Sequence, residues 1–307
     1  MRMRKLGTDE ISVIGYGSWE AGGDAWGPNP PEDEVIQAIG SALDAGITWI
    51  DTAEIYGDGL SEKLVGKAIE GRDEVFVATK VAPSRSGFHP EGIRAGIRGS
   101  MKRLKVDVID LYQLHWPDRE VPLERTWETM ARVRDDGLVR YIGLSNFHRE
   151  DLERCERIQH VASLQNEFSM LHQADGSELF PWCESNGTAV LAYGPLAYGL
   201  LTGTITADTE FDPRDWRSGD SDMSYSELFT PEARARHLAT VDRLRPIAER
   251  LGITLGQLAL AWVVAQPGVT AAIAGSRNPA HVAENAAAGD VELDAATLQD
   301  VDRILSD

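Results

Sequence analysis

The sequence predicts an α/β protein of the (β/α)8, or TIM-barrel, class. Short apolar runs alternate with amphipathic stretches eight times along the chain, and no Pro/Ser-rich linker divides its 307 residues. Eight β/α units in about 300 residues fit a closed barrel better than an open doubly wound sheet. We therefore expect one barrel domain that spans residues 1–307.

The predicted strands are short apolar runs, each bounded by turn residues or by a helix end. They lie near residues 13–14 and at 47–50, 74–79, 108–114, 139–144, 162–165, 189–193 and 271–274. Apolar residues at helical spacing predict the helices between and after them. These helices lie at 35–45, 61–69, 90–104, 123–136, 150–157, 179–185, 231–251, 255–265, 281–287 and 295–305.

Two further segments are expected to lie at opposite ends of the barrel. Residues 5–7 and 11–13 flank the turn residues Thr8, Asp9 and Glu10, which predicts a β-hairpin that closes the bottom of the barrel. The stretch 202–230, after the seventh barrel strand, is rich in Asp, Ser and Thr and has weak periodicity. A loop that long in a compact domain is usually a lid or a binding loop.

The composition excludes several classes of protein. With 49 acidic and 30 basic residues, the formal net charge is −19, which is the wrong sign for a nucleic-acid groove or an anionic membrane surface. No apolar run approaches the roughly 18 to 20 residues that cross a bilayer, and none follows the basic residues of MRMRKLGTDE as in a signal peptide. We therefore expect a cytoplasmic protein. Cys155 and Cys183 lack a second Cys or His at ligand spacing, so neither a disulfide framework nor a zinc cluster is expected.

In a (β/α)8 barrel, the active site lies at the carboxyl ends of the strands. The second, third and fourth predicted strands are followed by Asp51, Lys80 and His115, and Tyr56 comes five residues after Asp51. Each has another interpretation, because Asp51 could cap a loop and Tyr56 or His115 could be a packing residue. Lys80 is hardest to explain by packing, since it directly follows an apolar strand and is one of only six lysines.

Together these four residues suit the delivery of a proton to a developing alkoxide. A tyrosine is a poor acid at neutral pH unless a nearby cation favours its phenolate. Lys80 could supply that charge and so lower the pKa of Tyr56, while Asp51 could keep Lys80 protonated. His115 could orient a carbonyl oxygen toward the Tyr56 hydroxyl. The set contains no nucleophile and no metal-ligand cluster, so no metal is expected.

Several longer strings resemble the aldo-keto reductase superfamily, and they occur in that family's order along nearly the whole chain. They are DTAEIYG at 51–57, ATK at 78–80, LYQLH at 111–115, GLSNF at 143–147, QNEF at 165–168, AYGPL at 192–196, GLLTG at 199–203, GSR at 275–277 and EN at 284–285. The nearer similarity is to the bacterial and potassium-channel β-subunit-like branches. Ala274 stands where the family usually has proline, and Phe168 stands where tyrosine is common.

The resemblance implies an NADPH-dependent oxidoreductase that reduces aldehyde or ketone carbonyls, with Tyr56 as general acid in a tetrad with Asp51, Lys80 and His115. The implied cofactor residues, from the nicotinamide to the adenosine end, are Gly17, Trp19, Ser145, Asn146, Gln165, Tyr193, Leu196, Gly199, Leu201, Gly275, Ser276, Arg277, His281, Glu284 and Asn285. Of these, Ser145, Asn146 and Gln165 would bind the carboxamide, Tyr193 would stack on the nicotinamide, and Leu196, Gly199 and Leu201 would line the pyrophosphate path. The expected substrate pocket comprises Trp19, Tyr56, His115 and Trp116.

The residues around 275–279 also suit an anion on physical grounds. A Gly-Ser turn before a helix offers backbone N–H groups and a helix N-terminus, and barrels commonly place a phosphate site beside the seventh and eighth strands. Arg277 adds a planar fork suited to a 2′-phosphate, which favours NADPH over NADH. The string GYGSW at 15–19 lacks the full spacing and the βαβ context of a dinucleotide-binding fingerprint.

Two alternatives stay open at this point. A desolvated, neutral lysine at a strand end can form a Schiff base, so Lys80 could belong to a lyase, although Asp51 would keep it charged. The channel β-subunit similarity also permits a regulatory module that binds NADPH and turns over slowly. The expected partner is a small-molecule carbonyl compound, and the sequence specifies neither that compound nor an oligomeric state.

Overall fold

The computed structural model describes residues 1–23, 25–72, 74–118, 120–218 and 224–306, and the predicted hairpin is present in it. Strand β1 (Met3–Leu6) pairs antiparallel with β2 (Asp9–Ser12). The guanidinium of Arg4 donates a hydrogen bond to the carbonyl of Val269, where the last barrel strand begins. The hairpin is therefore held against the amino-terminal end of the barrel.

Eight parallel strands of the described chain close into a barrel. They are β3 (Ile14–Gly17), β4 (Trp49–Asp51), β5 (Phe76–Val81), β6 (Ile109–Leu114), β7 (Val139–Ser145), β8 (Ser163–Glu167), β9 (Ala189–Tyr193) and β10 (Val269–Ala274). Each pairs with the next, and β10 pairs back onto β3, with Ala272 opposite Ile14. The predicted (β/α)8 fold is confirmed. Strand bounds differ from the prediction by a few residues, because strands buried on both faces carry no alternation that marks where pairing begins.

The predicted helices surround the barrel. They are α1 (Glu32–Asp44), α2 (Leu60–Ala68), α3 (Pro90–Leu104), α4 (Leu123–Asp135), α5 (Arg149–Glu156), α6 (Leu179–Asn186), α7 (Pro231–Leu251), α8 (Leu255–Ala265), α9 (Pro279–Ala287) and α10 (Ala295–Ser306). Helix α8 begins at a capping box, in which Thr254 and Gln257 exchange side-chain and backbone hydrogen bonds. No single helix in the described ranges is long and apolar enough to span a membrane; α7 and α8 meet that test only as a pair bent by 90°.

The chain after β9 lies across the carboxyl end of the barrel. Its described parts include three short 3-10 helices, Ala197–Thr202, Trp216–Ser218 and Ser224–Phe229. Residues 219–223 of the predicted loop lie outside the described residues. The backbone N–H of Trp216 donates to the Ala25 carbonyl at 2.9 Å, so this loop is joined to the loop that follows β3.

Apolar side chains fill the amino-terminal end of the barrel. Leu6 and Ile11 of the hairpin are fully buried and pack with Trp49 and Phe76 of the barrel strands. The Trp49 indole donates to the carbonyl of Ser12 at 2.9 Å. Because the hairpin closes this end, the cleft that can admit a ligand opens at the opposite end, where the strands finish.

We predict that Ile11→Ala destabilises the protein strongly, whereas Met3→Ala in the same hairpin does not. Ile11 is fully buried and Met3 is 40% exposed. Truncating a buried Ile lowers the free energy of unfolding by about 2–5 kcal/mol, whereas an exposed substitution usually changes it by less than about 0.5 kcal/mol. Urea unfolding of both variants measures the difference, and equal losses would contradict the role of the hairpin as a plug.

Candidate active site

A buried ion pair joins the ends of β4 and β5. Asp51 is 3% exposed and Lys80 is fully buried. Lys80 Nζ donates to Asp51 Oδ2 at 2.6 Å and to the Thr52 carbonyl at 2.9 Å, and Gln165 Nε2 donates to Asp51 Oδ1 at 2.7 Å. Burial lowers the pKa of Lys80, and the Asp51 carboxylate opposes that shift. The hydrogen bonds on both partners offset the desolvation that a buried ion pair suffers.

Tyr56 lies between this ion pair and the cleft. Lys80 Nζ donates to the Tyr56 hydroxyl at 3.3 Å and lies 5.0 Å from the centre of its ring. Tyr56 begins a tight turn in which Gly57 has a φ of 57°. A Cβ at Gly57 would come within 1.5 Å of the Gly22 carbonyl oxygen. Only glycine allows the loops after β3 and β4 to meet so closely, and their contact fixes where Tyr56 stands.

The pKa of Tyr56 does not follow the prediction made from the sequence. Burial raises the pKa of the Tyr56 hydroxyl well above its usual range, and the Asp51 carboxylate raises it further. The expectation that Lys80 lowers this pKa is therefore wrong for the site described here. Desolvation of the phenolate outweighs the ammonium, whose charge is already paired with Asp51.

His115 completes the group at the end of β6. Its backbone N–H donates to the Val81 carbonyl at 3.0 Å, and its ring lies edge-to-face with Tyr56 at a centroid distance of 5.6 Å. Burial lowers the pKa of His115 well below its usual range, and the Lys80 ammonium lowers it further. The imidazole is therefore neutral at neutral pH and can donate or accept a hydrogen bond without changing charge. The structure brings all four predicted tetrad residues together.

Amide and hydroxyl side chains from β7 and β8 form the next part of the wall. Ser145, Asn146 and Gln165 line the same cleft as Tyr56. Asn146 has a left-handed backbone with a φ of 64°, and its Nδ2 donates to the His115 carbonyl at 2.9 Å. Asn166, which belongs to the QNEF string but was given no role in the predicted site, holds this turn because its Oδ1 accepts from the Asn146 N–H at 2.9 Å.

Tyr193 at the end of β9 is linked to a residue that the sequence did not identify. The Tyr193 hydroxyl donates to Asn146 Oδ1 at 2.7 Å and lies 3.0 Å from the Tyr225 hydroxyl. Tyr225 belongs to the loop after β9, and it also lines the cleft. The sequence signal that could have identified Tyr225 is that an aromatic residue stands in a loop otherwise rich in Asp, Ser and Thr.

Trp19 and Trp116 lie beside Tyr56 and His115 in the cleft. The Trp19 ring is 6.3 Å from the Tyr56 ring, and the Trp116 ring is 4.6 Å from the His115 ring. Trp19 also stacks on Trp216, with centroids 6.1 Å apart. The part of the cleft around Tyr56 and His115 therefore has aromatic walls.

The opposite end of the cleft lies where β10 meets β3. A Cβ at Gly275 would come within 2.2 Å of the Gly17 carbonyl oxygen, so only glycine permits this close approach. Arg277 lies two residues after Gly275, and its guanidinium donates to the carbonyls of Trp26 at 2.8 Å and Pro28 at 3.2 Å. Arg277 therefore anchors the loop after β3 in addition to lining the cleft.

The remaining predicted residues of this end also line the cleft, on or just before α9. Asn278 caps that helix by accepting from the Ala280 N–H at 2.9 Å. Glu284 Oε1 accepts from the Thr254 hydroxyl at 2.6 Å, which holds its carboxylate toward α8. The predicted residues that line this end of the cleft are Ser276, His281, Glu284 and Asn285.

Leu201 is the one predicted cofactor residue that the structure does not place at the cleft. Leu196 and Gly199 line the cleft, but Leu201 is 1% exposed and belongs to the hydrophobic core. The short helix Ala197–Thr202 turns its last leucines toward α8, because both are apolar and buried there. The Leu201 side chain therefore does not face the cleft, and any role in cofactor binding would fall to its backbone.

The cleft suits a dinucleotide together with a small second molecule. It has a volume of about 1190 Å³ and runs from Tyr56 and His115 to Asn285, which exceeds the roughly 300–1,000 Å³ of ordinary ligand pockets. The backbone at Gly17 and Gly275 leaves no room for side chains, and the N-terminus of α9 favours an anion. No group of three or more His, Cys, Asp or Glu side chains in the described chain is placed to hold a metal ion.

Comparisons with known proteins agree with this geometry. The sequence model of the Aldo/keto reductase family matches residues 13–306. Aldo-keto reductase YhdN of Bacillus subtilis is 38% identical over 88% of this chain and 82% of its own, and the NADH-specific methylglyoxal reductase of Escherichia coli is 32% identical over 95% of both. The fold is similar to a glycerol dehydrogenase of Gluconobacter oxydans, with a TM-score of 0.88, 30% identity and coverage of 99% and 95%.

A Klebsiella pneumoniae aldo/keto reductase in complex with NADP and acetate is also similar, with a TM-score of 0.77, 31% identity and coverage of 98% and 93%. The barrel, the cleft at its strand ends and these similarities identify the class of protein as an oxidoreductase of the aldo-keto type. The chain belongs to the aldo/keto reductase family.

We predict that His115→Asn makes the stability of the protein less sensitive to acid. The pKa of His115 is lowered in the folded protein, so below about pH 6.5 the unfolded chain binds a proton that the folded protein does not. His115 therefore lowers the stability of the wild type as the pH falls. Between about pH 7.5 and 5.5, we expect the variant to lose roughly 1 kcal/mol less unfolding free energy than the wild type.

The measurement is urea unfolding at both pH values, with exposed His148→Asn as the control. The control makes the same substitution at an exposed histidine that does not line the cleft. A variant at position 115 with an unchanged pH dependence would show that this imidazole titrates alike in both states.

Proposed function

We propose that the protein reduces aldehyde or ketone carbonyls to alcohols with NADPH, and that Tyr56 is the general acid. One observation carries the proposal: a continuous set of contacts leads from Asp51 through Lys80 to the Tyr56 hydroxyl, which faces the cleft beside His115. This arrangement places the hydroxyl proton of Tyr56 where it can be transferred to a substrate bound in the cleft. Its charged members are buried, so their interactions are not weakened by solvent.

The residues of the site divide the work of proton transfer. A bound nicotinamide would supply the hydride that reduces the carbonyl carbon. Neutral His115 and the Tyr56 hydroxyl hydrogen-bond the carbonyl oxygen, and Tyr56 gives up its proton as negative charge develops there. Lys80 then stabilises the phenolate, and Asp51 keeps Lys80 charged. The raised pKa of Tyr56 keeps the proton on the phenol in the resting site, so the positive charge of Lys80 is needed to stabilise the phenolate as the proton leaves.

The position of Lys80 disfavours the Schiff-base alternative. Its ammonium is fully buried behind Tyr56 and donates to the oxygens of Asp51, Thr52 and Tyr56. A lysine that attacks a carbonyl must be neutral and must reach the substrate. Lys80 meets neither condition, whereas its location suits a cation that acts through Tyr56.

Arg277 supports NADPH as the preferred cofactor. An arginine has five N–H donors in a planar fork, and the carbonyls of Trp26 and Pro28 take two of them. Arg277 Nε also lies 3.9 Å from Glu20 Oε2, and Arg277 lines the end of the cleft beside Ser276, where its remaining N–H groups can hold a 2′-phosphate. The relatives differ in this respect, since the E. coli relative is NADH-specific and the K. pneumoniae structure contains NADP.

We predict that Tyr56→Phe abolishes carbonyl reduction and leaves NADPH binding nearly unchanged. Loss of a general acid lowers kcat by about 10²- to 10⁴-fold, while the ring that lines the cleft is retained. A panel of aldehydes, ketones and sugars assayed by NADPH absorbance gives kcat, and NADPH fluorescence gives the dissociation constant. Tyr141→Phe is the matched control, because the Tyr141 hydroxyl bonds to Asp9 at the far end of the barrel. Full activity of Tyr56→Phe would show that Tyr56 is not the general acid.

We predict that Arg277→Ala weakens NADPH binding far more than NADH binding. Removal of hydrogen bonds from a cation to a phosphate raises the dissociation constant by about 10- to 100-fold. Titration of both cofactors against both proteins provides the comparison. An equal loss for NADPH and NADH would count against a 2′-phosphate contact, and would leave Arg277 a structural role through Glu20 and the Trp26 and Pro28 carbonyls.

A further inference from the structure

Tyr225 makes a contact that the catalytic scheme above does not use. Its hydroxyl lies 3.0 Å from that of Tyr193, whose own hydroxyl donates to Asn146 Oδ1 at 2.7 Å. Asn146 Nδ2 in turn donates to the His115 carbonyl at 2.9 Å. A hydrogen-bonded series therefore runs from the loop after β9 to the main chain of a tetrad residue.

The direction of each hydrogen bond in this series is determined by its chemistry. The Asn146 amide must present its NH2 to the His115 carbonyl, so its oxygen faces Tyr193. An amide oxygen only accepts, so the single proton of the Tyr193 hydroxyl is directed to Asn146. Tyr225 must then be the donor to Tyr193. The Tyr193 hydroxyl is held from both sides, as a donor to Asn146 and as an acceptor from Tyr225.

Packing holds the Tyr225 ring in place independently of its hydroxyl. The ring lies 4.9 Å from that of Tyr198, 6.0 Å from that of Trp216 and 6.2 Å from that of Trp19. Aromatic pairs at such distances add to the stabilisation from burial. A phenylalanine at 225 would keep these ring contacts and lose the hydrogen bonds of the hydroxyl, which interacts with Tyr198 as well as with Tyr193.

We propose that Tyr225 is a positioning residue for hydride transfer, because its hydroxyl holds Tyr193 in the orientation that stacks on the nicotinamide. This inference rests on the proposed function, in which Tyr193 forms one face of the nicotinamide site. Tyr225 acts through Tyr193 and needs no contact with the reacting atoms. The loop after β9 thereby contributes to cofactor geometry as well as to the cover of the cleft.

The test is a double-mutant cycle of Tyr225→Phe and Tyr193→Phe. A neutral hydrogen bond contributes modestly, so we expect Tyr225→Phe to weaken NADPH binding about two- to tenfold. We also expect a lower kcat, a larger primary isotope effect with 4-deuterated NADPH, and an unchanged KM for the carbonyl substrate. In the Tyr193→Phe background, the further change Tyr225→Phe is expected to have little effect on NADPH binding, because the hydroxyl that links Tyr225 to Asn146 is gone.

Two controls separate positioning from packing. Tyr225→Ala removes the ring and is expected to cause a larger loss, and Tyr141→Phe is expected to match the wild type. Three results would overturn the inference: Tyr225→Phe indistinguishable from the wild type, an undiminished effect in the Tyr193→Phe background, or a change confined to the KM of the carbonyl. A wild-type protein that neither binds nor oxidises NADPH would instead overturn the proposed function and this inference together.

Discussion

The active site depends on the buried ion pair between Asp51 and Lys80. Two charges removed from water are tolerated only when their remaining hydrogen-bonding groups are satisfied. Here the Thr52 carbonyl bonds the ammonium and the Gln165 amide bonds the carboxylate. Asp51 ends β4 and Gln165 lies in β8, on the opposite side of the eight-stranded barrel. The ion pair is therefore satisfied only when the barrel has closed, so folding and the assembly of the site are one event. Tyr56 depends on this pair, because Lys80 is its nearest cation.

Much of the site could be predicted because the strands of a parallel barrel all end on the same side, so the position of a residue relative to its strand tells where it lies. Residues at or just after the carboxyl end of each barrel strand lie in one ring, which is why Asp51, Lys80 and His115 come together as expected. Family motifs extended that reasoning to Tyr193 and Arg277, and both line the predicted cleft. For Asp51, Lys80 and His115 the position in the sequence was sufficient, since each lies at the end of a strand whose apolar pattern is clear.

Other features could not be predicted, because they depend on contacts between loops far apart in sequence. The sequence does not show that the Tyr225 hydroxyl meets Tyr193, or that the Arg277 guanidinium meets the Trp26 carbonyl. Leu201 follows a family motif, yet packing turns it into the core. The pKa of Tyr56 was predicted in the wrong direction, because a charge partner can be inferred from sequence order but the depth of burial cannot.

The hairpin of β1 and β2 closes the amino-terminal end of the barrel, and the cleft lies at the carboxyl end. Phe76, in contact with the plug, and Lys80, in the ion pair, lie four residues apart on β5, a distance of about 13 Å along the strand. Substitutions separated by more than about 10 Å usually have additive effects on free energy. Changes that stiffen the base of the barrel can therefore be combined with changes around Trp19 and Trp116. Resistance to heat and choice of substrate are, in this protein, properties that an engineer can alter one at a time.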